Sequence, residues 1–427
     1  MDMRRFFANT SILFLLAAAF GTSSYAKAEN NHRQIVDQAW QIINRKFVGT
    51  NFNSQNWLQT RREVLSKDYT TKQAAYDAIR VMLGKLNDPE TRLLDGKQLA
   101  SLEMESSGKF IGVGLIDFSV DSDEKTKELR VVTAIADTPA ARAGLQPKDI
   151  IQAIDGVPTK TLSHDQAMMR LRGQAGTQVV LTVRRQGKTF DVPLLREAIS
   201  VQPVRTSLKQ EGGKIIGYIA LTQFTPNASQ EMRNAVKELL NKNVDGFLID
   251  LRNNPGGLLQ PSTEIASLFL NKERVASIRD RTGSLEQIQT SGSKLTNKPV
   301  VVLVNDGTAS ASEVLAGALQ DNRRALLVGT TTFGRGRLHG GEQLSDRSVV
   351  LVSVGNLLTP GGRDISRFGI KPDYVVEIPQ AVLEKWTPAN IATQKDSQYI
   401  QALAVLMQRI SRLNRIGGSP HPQTEAG

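Results

Sequence analysis

The sequence predicts a multidomain protein with α/β and β-rich parts: a helical N-terminal segment, a β-rich middle segment and an α/β core with a mostly parallel sheet. At 427 residues, 40% of them hydrophobic, the chain is too long for a typical single domain and ample for packed cores. Apolar residues recur at helical spacing over 29–95, and short alternating strands follow over 96–197. Over 198–390 strands alternate with helices, which indicates a largely parallel sheet. A C-terminal helix and tail occupy 391–427.

The N-terminus predicts export. Basic residues precede an apolar segment over 12–20, and small residues follow it, with an Ala-x-Ala site that ends at Ala28. This order is typical of a secretory signal peptide, which we place at 1–28. An uncleaved anchor is the alternative, but the apolar segment is short for a membrane span. We therefore expect the mature protein to work outside the cytoplasm.

The composition argues against several kinds of chemistry. The chain has no cysteine, which excludes thiol catalysis, disulfides and zinc–thiolate sites, and it has only four histidines, spread along the sequence. We therefore expect no metal ion, no other cofactor and no Ser/His/Asp triad. The formal net charge is +11, but no Lys/Arg block is interleaved with aromatic residues, so nucleic acid is not an expected partner. A basic surface of this kind favours acidic partners, including peripheral association with anionic membranes.

The helical N-terminal segment is predicted to contain helices at 35–43 and 72–83. Thr71 is a suitable N-cap for the second of them. Trp40 and Trp57 are expected to be packing residues rather than ligand contacts.

The middle segment contains a glycine-bearing loop that could expose backbone N–H groups to an anion; its residues are Ile111, Gly112, Val113, Gly114 and Leu115. Strands are predicted at 110–117, 129–135, 178–185 and 190–195, and a helix at 165–171. With the runs at 141–151 and 153–156, this order resembles a PDZ domain. In that family the loop receives the C-terminal carboxylate of a peptide that adds a strand to the sheet edge, and the helix forms the other wall of the groove. A structural barrel without a ligand is the alternative.

In the α/β segment, polar turns follow buried strands. Strands are predicted at 216–221, 246–251, 300–304, 325–328 and 349–354, and helices at 229–241, 261–270 and 311–320. The turn at 253–257 lies where a buried strand ends, and chemistry tends to sit beyond such strand ends. The turn after the strand at 300–304 places a small hydroxyl residue at a helix N-terminus, near unpaired backbone donors that can stabilise an oxyanion, which suits a serine nucleophile. Alternatively, Thr308, Ser310 and Ser312 only cap the turn.

The order of these motifs resembles the carboxyl-terminal processing peptidases. The signal peptide, helical segment and PDZ-like segment are followed by Leu-Arg-Asn-Asn-Pro-Gly-Gly at 251–257 and Gly-Thr-Ala-Ser-Ala-Ser-Glu at 307–313. Thr-Phe-Gly-x-Gly at 332–336 and Gly-Ile-Lys-Pro-Asp at 369–373 fit the same family, and Asp-Pro-x-Thr-Arg at 88–92 resembles its cyanobacterial and chloroplast branch. The resemblance implies a serine endopeptidase that trims C-terminal tails, such as that of a photosystem II subunit, in the periplasm or thylakoid lumen.

The resemblance also assigns roles to single residues. Ser310 matches the nucleophile of the family, and Gly256 and the N–H of Ala311 match its oxyanion hole. Glu313 and Asn305 match positions that shape the turn around the serine.

The general base is where this chain departs from the family. Arg335 occupies the position of the lysine that activates the serine, and His339 occupies a position that is usually glutamine. A guanidinium stays protonated in proteins, so Arg335 cannot accept the serine proton. The first hypothesis is an impaired or altered peptidase, in which His339 is either a substitute base or a hydrogen-bonded structural residue. The second is a non-catalytic paralogue that binds C-terminal tails, with Arg335 holding a carboxylate, and the third is a scaffold that recruits partners through the PDZ-like segment.

Overall fold

The computed structural model describes residues 32–49, 54–120, 128–135, 137–146, 149–162, 164–200, 202–379, 382 and 390–417, so the predicted signal peptide at 1–28 lies outside the described residues. No helix in this part of the chain is long and apolar enough to cross a membrane. The chain forms two units. The first comprises residues up to Glu103 with Ile278–Glu286 and Arg337–Leu357, and the second comprises Met104–Ser277, Gln287–Gly336 and Leu358–Gly427.

Helices make up most of the N-terminal part of the described chain, as the sequence predicts. They are α1 (His32–Lys46), α2 (Ser54–Leu65), α3 (Lys72–Gly84) and α4 (Gly96–Ser106). The Thr71 hydroxyl accepts a hydrogen bond from the Ala74 N–H (3.1 Å), which confirms the predicted cap of α3. The indoles of Trp40 and Trp57 are buried and stacked 6.2 Å apart, so both are packing residues.

A five-stranded sheet contains β1 (Arg92–Leu94), β13 (Arg274–Arg279), β14 (Leu285–Gln289), β17 (Arg337–Gln343) and β18 (Val349–Leu358). The strand predicted at 349–354 exists, but its expected place in the mostly parallel sheet is wrong, because β18 pairs antiparallel with β1 and β17. The physical reason is the tight turn before β18, where the Leu344 N–H donates to the Ser348 carbonyl (2.8 Å). A short turn makes adjacent strands pair as an antiparallel hairpin.

Asp88 joins the turn after α3 to β17 and β18 within the first unit. Its buried carboxylate accepts hydrogen bonds from the hydroxyls of Thr91 (2.8 Å) and Ser353 (2.6 Å). The carboxylate also lies 3.0 Å from Arg337 Nη1. Burial strengthens such bonds, so the Asp-Pro-x-Thr run at 88–91 has a structural role.

Asp346, in the turn between β17 and β18, makes the stability of the first unit depend on pH. Burial opposes ionisation of its carboxyl, but hydrogen bonds from Ser348, Tyr76 and Lys72 outweigh burial and lower its pKa from 3.8 to about 2. Because the folded pKa lies below the unfolded one, the stabilisation is present at neutral pH and is lost as the pH falls from 3.8 through about 2. We expect Asp346→Asn to lower the free energy of unfolding at pH 7 by about 1 kcal/mol, after allowance for solvent screening.

Urea unfolding of the wild type and Asp346→Asn at a series of pH values measures this contribution, and the difference should shrink as the pH falls. Asp68→Asn is the matched control. Asp68 also pairs with a cation, Arg33 (2.5 Å), but its side chain is 91% exposed, so no change in stability is expected. A difference between wild type and Asp346→Asn that stays constant down to the lowest pH would contradict the assignment.

The β-rich domain of the second unit has a sheet with the order β3 (Leu115–Val120), β4 (Leu129–Ala134), β5 (Ile150–Ile154), β7 (Gln178–Arg185) and β8 (Lys188–Leu195), with β6 (Val157–Pro158) beside β5. Its helices are α5 (Pro139–Arg142) and α6 (His164–Leu171), which confirms the helix predicted at 165–171. The strand predicted at 110–117 is instead two strands, because the chain turns at Gly114, whose φ is +87°. The earlier strand, β2 (Lys109–Gly112), pairs with β9 (Glu197–Ser200).

The α/β core has a six-stranded sheet with the order β10 (Val204–Glu211), β11 (Lys214–Leu221), β12 (Gly246–Asp250), β15 (Val300–Val304), β16 (Ala325–Gly329) and β19 (Tyr374–Val375). Every neighbouring pair from β11 to β19 is parallel, which confirms the predicted sheet type. The helices are α7 (Ala228–Asn241), α8 (Leu259–Ala266), α9 (Ala311–Asp321), α10 (Ile365–Phe368) and α11 (Ser397–Gly417).

The core of this domain positions the site. All residues of β12 and β15 are buried, and apolar side chains of α11 pack on the sheet. Because β12 and β15 are parallel neighbours, the turns that follow them emerge at the same edge of the sheet.

Candidate active site

Ser310 lies between the turn after β15 and the first residue of α9, and its backbone is strained. Its φ is +57° and its ψ is −119°, a conformation that residues other than glycine rarely adopt. Strain of this kind clusters at functional sites. A strained serine between a strand and a helix is also how α/β-hydrolases expose their nucleophile. Among the described residues no acceptor is found for the adjacent Ala311 N–H, which leaves this donor available to an oxyanion.

Asn305 bonds the turn after β15 to the turn after β12. Its side-chain oxygen accepts from the N–H groups of Asn253 (2.8 Å) and Gly307 (3.1 Å), and its Nδ2 donates to Asn253 Oδ1 (2.8 Å). The Thr308 hydroxyl donates to the Leu251 carbonyl (2.8 Å). These bonds hold the two turns in contact and support the expected role of Asn305.

Glu313 holds the turn of Ser310 and the segment of Arg335 together. Its buried carboxylate accepts hydrogen bonds from the N–H groups of Ser310 (2.9 Å), Gly334 (2.8 Å) and Arg335 (2.8 Å) and from the Thr332 hydroxyl (2.5 Å). Burial raises the pKa of the Glu313 carboxyl, and these donors oppose the rise. The N–H groups of Ser310 and Arg335 share one oxygen, Oε2. The backbone of residue 335 therefore lies beside that of Ser310.

Gly256 approaches Ser310 so closely that only glycine fits. Its φ is +99°, and a side-chain carbon added to it would lie 2.8 Å from Ser310 Cβ and 2.9 Å from Ala311 N. Its N–H donates to Asn254 Oδ1 (2.9 Å). Of the two donors that the sequence predicts for an oxyanion hole, the Ala311 N–H is open and the Gly256 N–H is already bonded.

The Arg335 side chain lies in the second unit near an aromatic ring. Its guanidinium carbon is 5.4 Å from the centre of the Phe333 ring, within cation–π distance. The Phe333 N–H donates to the Thr308 carbonyl (2.9 Å), so the segment is also bonded to the turn before Ser310.

His339 belongs to the first unit, in β17 opposite Ser353. Its Nε2 lies 2.7 Å from Glu90 Oε2, and both side chains are mostly buried. Within the first unit, the group beside His339 Nε2 is therefore the Glu90 carboxylate and not a nucleophile.

A buried charge network behind the turn at 253–257 escaped the sequence prediction. Arg252 Nη2 lies 2.6 Å from Asp250 Oδ2 and 2.8 Å from Asp396 Oδ2, and all three side chains are at most 7% exposed. The Tyr218 hydroxyl donates to Asp250 (2.7 Å), and burial with the nearby Asp250 charge raises its pKa far above the ordinary value. The Asp-Leu-Arg run at 250–252 indicates an ion pair between Asp250 and Arg252. Asp396 lies 144 positions from Arg252, so no sequence spacing indicates that it joins them.

The predicted peptide-binding loop keeps its carbonyls inside the domain. The carbonyls of Val113 and Gly114 accept from the N–H groups of Ala140 (2.8 Å) and Ile135 (2.9 Å). Within the ranges that the structure describes, the N–H groups of Val113 and Gly114 have no acceptor. The side chains of Val113 and Leu115 are buried, so the loop offers backbone donors. β3, which follows the loop, is an edge strand to which an extended peptide can add.

A strained serine at the carboxyl edge of a parallel sheet, in one chain with a β-rich domain of PDZ type, characterises the PDZ-containing serine peptidase class. Within the described parts of the chain no group of three or more His, Asp or Glu could hold a metal ion. Residues 215–376 match peptidase family S41, and residues 130–185 match the PDZ domain family.

Known proteins with the same domains are similar along most of the chain. The carboxyl-terminal-processing protease of Synechocystis sp. is 39% identical over 98% of this chain and 97% of its own length. The chloroplastic carboxyl-terminal-processing peptidase 2 of Arabidopsis thaliana is 40% identical over 79% of this chain and 67% of its own. A solved structure of a photosystem II D1 C-terminal processing protease has a TM-score of 0.74 and 34% identity, over 81% of this chain and 93% of its own. This chain therefore belongs to the carboxyl-terminal processing peptidases of family S41.

Proposed function

We propose that this chain is an exported serine endopeptidase that binds C-terminal tails of protein substrates and cleaves them with Ser310, at a rate reduced by Arg335. The strained backbone of Ser310 carries the proposal, because it presents the hydroxyl at the start of α9 beside the open Ala311 N–H. Strain of this kind costs about 1–3 kcal/mol and persists where function requires it.

In this mechanism the Ser310 oxygen attacks the scissile carbonyl while solvent water takes the hydroxyl proton, and the Ala311 N–H stabilises the resulting oxyanion. When the oxyanion collapses, the peptide C–N bond breaks and the amine leaves with a proton from water; a second water molecule then hydrolyses the acyl-enzyme and frees Ser310. The Gly256 N–H joins it after exchanging Asn254 Oδ1 for the oxyanion. Arg335 cannot take the serine proton, since a guanidinium stays protonated. Loss of the base from a hydroxyl nucleophile costs roughly 10³-fold or more in rate. The remaining activity depends on the oxyanion donors and on tail binding.

The proposed substrates are precursor proteins with free C-terminal tails in the periplasm or thylakoid lumen. Similarity to the Synechocystis and Arabidopsis chloroplast peptidases supports this setting, and the solved structure is named for D1 of photosystem II. A D1-type precursor is therefore the first protein substrate to test. The net charge of +11 favours peripheral association with anionic membranes.

Mass spectrometry tests this proposal with a peptide that ends in an apolar residue and a free carboxylate. Wild type should cleave it slowly, and Ser310→Ala should not cleave it. Equal cleavage by the two proteins would assign hydrolysis to another group. The absence of cleavage by both wild type and Arg335→Lys would reject the peptidase function.

His339→Gln should leave the cleavage rate unchanged, because the contact of His339 with Glu90 supports a structural role. The measurement is the pH profile of kcat/KM for wild type and variant. Loss of activity in the variant, together with a change in the shape of the pH profile, would instead identify His339 as the base.

The second candidate is a non-catalytic adaptor or scaffold that binds C-terminal tails. Two observations favour it: Arg335 stands where the family has its base, and the Gly256 N–H is bonded to Asn254 (2.9 Å). Arg335 then holds a tail carboxylate through its guanidinium. Specific peptide binding by a chain that stays inactive after Arg335→Lys would support this candidate.

A further inference from the structure

The side chain of Arg196 contacts the C-terminal end of α6, the helix that forms one wall of the predicted tail-binding groove. Its guanidinium donates to the carbonyls of Arg170 (2.6 Å) and Leu171 (3.3 Å) in the last turn of the helix. It also donates to the Gln178 carbonyl (2.8 Å) and the Thr177 hydroxyl (3.0 Å) at the start of β7. Arg196 is only 8% exposed, so water cannot readily replace these partners.

Arg196 also connects α6 to β9, the strand that pairs with the first residues of the predicted peptide-binding loop. Arg196 lies between β8 and β9, and in the pairing of β9 with β2 Glu197 is opposite Gly112. Gly112 packs near the Leu171 carbonyl, since a side-chain carbon added to it would lie 3.5 Å from that oxygen. Gly173, with a φ of +157°, leaves room for the guanidinium, because an added carbon would lie 3.0 Å from Arg196 Nε. The helix end, β7 and β9 therefore meet at one side chain.

We propose that Arg196 is a positioning residue for tail binding, which sets the separation between α6 and the loop of Ile111, Gly112, Val113, Gly114 and Leu115. This inference rests on the proposed binding of tails at that loop. A tail that adds a strand beside β3 must fit between the strand and α6 while its carboxylate reaches the loop N–H groups. Displacement of the C-terminal end of α6 changes both the distance from α6 to β3 and the distance from the tail carboxylate to the loop N–H groups. Arginine suits this position because its planar fork satisfies several carbonyls at once, whereas lysine offers a single flexible ammonium.

Fluorescence anisotropy tests the inference in the full chain carrying Ser310→Ala, which prevents turnover. The probes are a labelled peptide that ends in alanine with a free carboxylate and the same peptide amidated at its C-terminus. Arg196→Met should weaken binding of the free-carboxylate peptide by about tenfold and bring its affinity close to that of the amidated peptide. Arg196→Lys should recover only part of the loss, because one ammonium cannot replace the fork.

Arg185→Met is the matched control, because Arg185 makes similar bonds at the opposite end of β7. Its Nε lies 2.6 Å from Asp149 Oδ1, and its Nη2 donates to the Gly144 carbonyl (2.7 Å). Arg185→Met and Arg196→Met should both lower the Tm, because each removes bonds of a guanidinium to its neighbours, but Arg185→Met should leave peptide affinity unchanged.

Three results would overturn the assignment or its basis. Unchanged peptide affinity in Arg196→Met, or an equal loss in Arg185→Met, would show that Arg196 has no specific role in tail binding. If Arg196→Met does not fold, the peptide affinity of Arg196→Lys is compared with that of Arg185→Met in the same way. Equal binding of the free and amidated peptides by the Ser310→Ala chain with Arg196 intact would overturn the proposed tail recognition itself, and the inference with it.

Discussion

Replacement of Arg335 by lysine is expected to raise kcat/KM for cleavage of a peptide with a free apolar C-terminus by at least about 10³-fold. A lysine whose pKa is lowered by burial can accept the Ser310 proton, whereas a guanidinium cannot. The N–H of residue 335 donates to Glu313 Oε2 (2.8 Å), the oxygen that also accepts the Ser310 N–H (2.9 Å). Because these bonds involve only the backbone of residue 335, the substitution should leave the turn intact.

Two further variants make this result specific. Arg335→Met removes the guanidinium without supplying a base, so its rate should stay at the wild-type level. Ser310→Ala combined with Arg335→Lys should be inactive, which would show that the recovered activity uses Ser310. A gain in Arg335→Met equal to that in Arg335→Lys would indicate that the guanidinium inhibits the site for a reason unrelated to proton transfer.

Arg252→Ala is expected to lower the free energy of unfolding by about 3–5 kcal/mol, because it leaves two buried carboxylates without a cation. Asp250 and Asp396 both contact the guanidinium of Arg252, at 2.6 and 2.8 Å, and neither side chain is more than 6% exposed. Asp250 ends β12 and Asp396 precedes α11, so the variant should also loosen the turn next to Ser310. Urea unfolding and the Tm measure the first effect, and the cleavage rate in the Arg335→Lys background measures the second.

Arg205→Ala is the matched control for this prediction. Arg205 also lies 2.6 Å from an aspartate, Asp137, but the two side chains are 42% and 68% exposed. Exposed pairs of this kind contribute little, so stability should change by less than about 1 kcal/mol. If Arg252→Ala were no more destabilised than Arg205→Ala, the buried network would have no special role in stability.

Sequence patterns predict the elements of the site well where the signal is local. Five consecutive apolar residues at 300–304 indicate a strand buried on both faces, and β15 has these bounds. The polar turn and the helix after it follow from capping chemistry, and α9 begins at Ala311 as expected. The positive φ of Ser310 has no such signal, since serine does not favour that conformation and only the surrounding bonds impose it.

Contacts between residues that are far apart in the sequence cannot be predicted from sequence patterns, for a physical reason. Arg252 and Asp396 are 144 positions apart, and Asp88 and Ser353 are 265 apart, so no periodicity relates them. Apolar alternation likewise identifies β18 as a strand but does not select its partner. The chain brings these groups together only when the sheets form, which is why sequence patterns do not indicate the network around Arg252 and place β18 in the wrong sheet.

The Glu313 contact has a consequence for the history of this protein. At position 335 it recognises only a main-chain N–H (2.8 Å), so any residue except proline can stand there without loss of that bond. Under the proposed function, a lineage can therefore give up proteolysis, or recover it, by exchanging a single side chain while the bond from Glu313 to the main chain is kept. Under that proposal, catalysis and recognition can evolve independently in such a chain, because the bond to Glu313 uses the main chain of residue 335 and the proposed catalytic difference lies in its side chain.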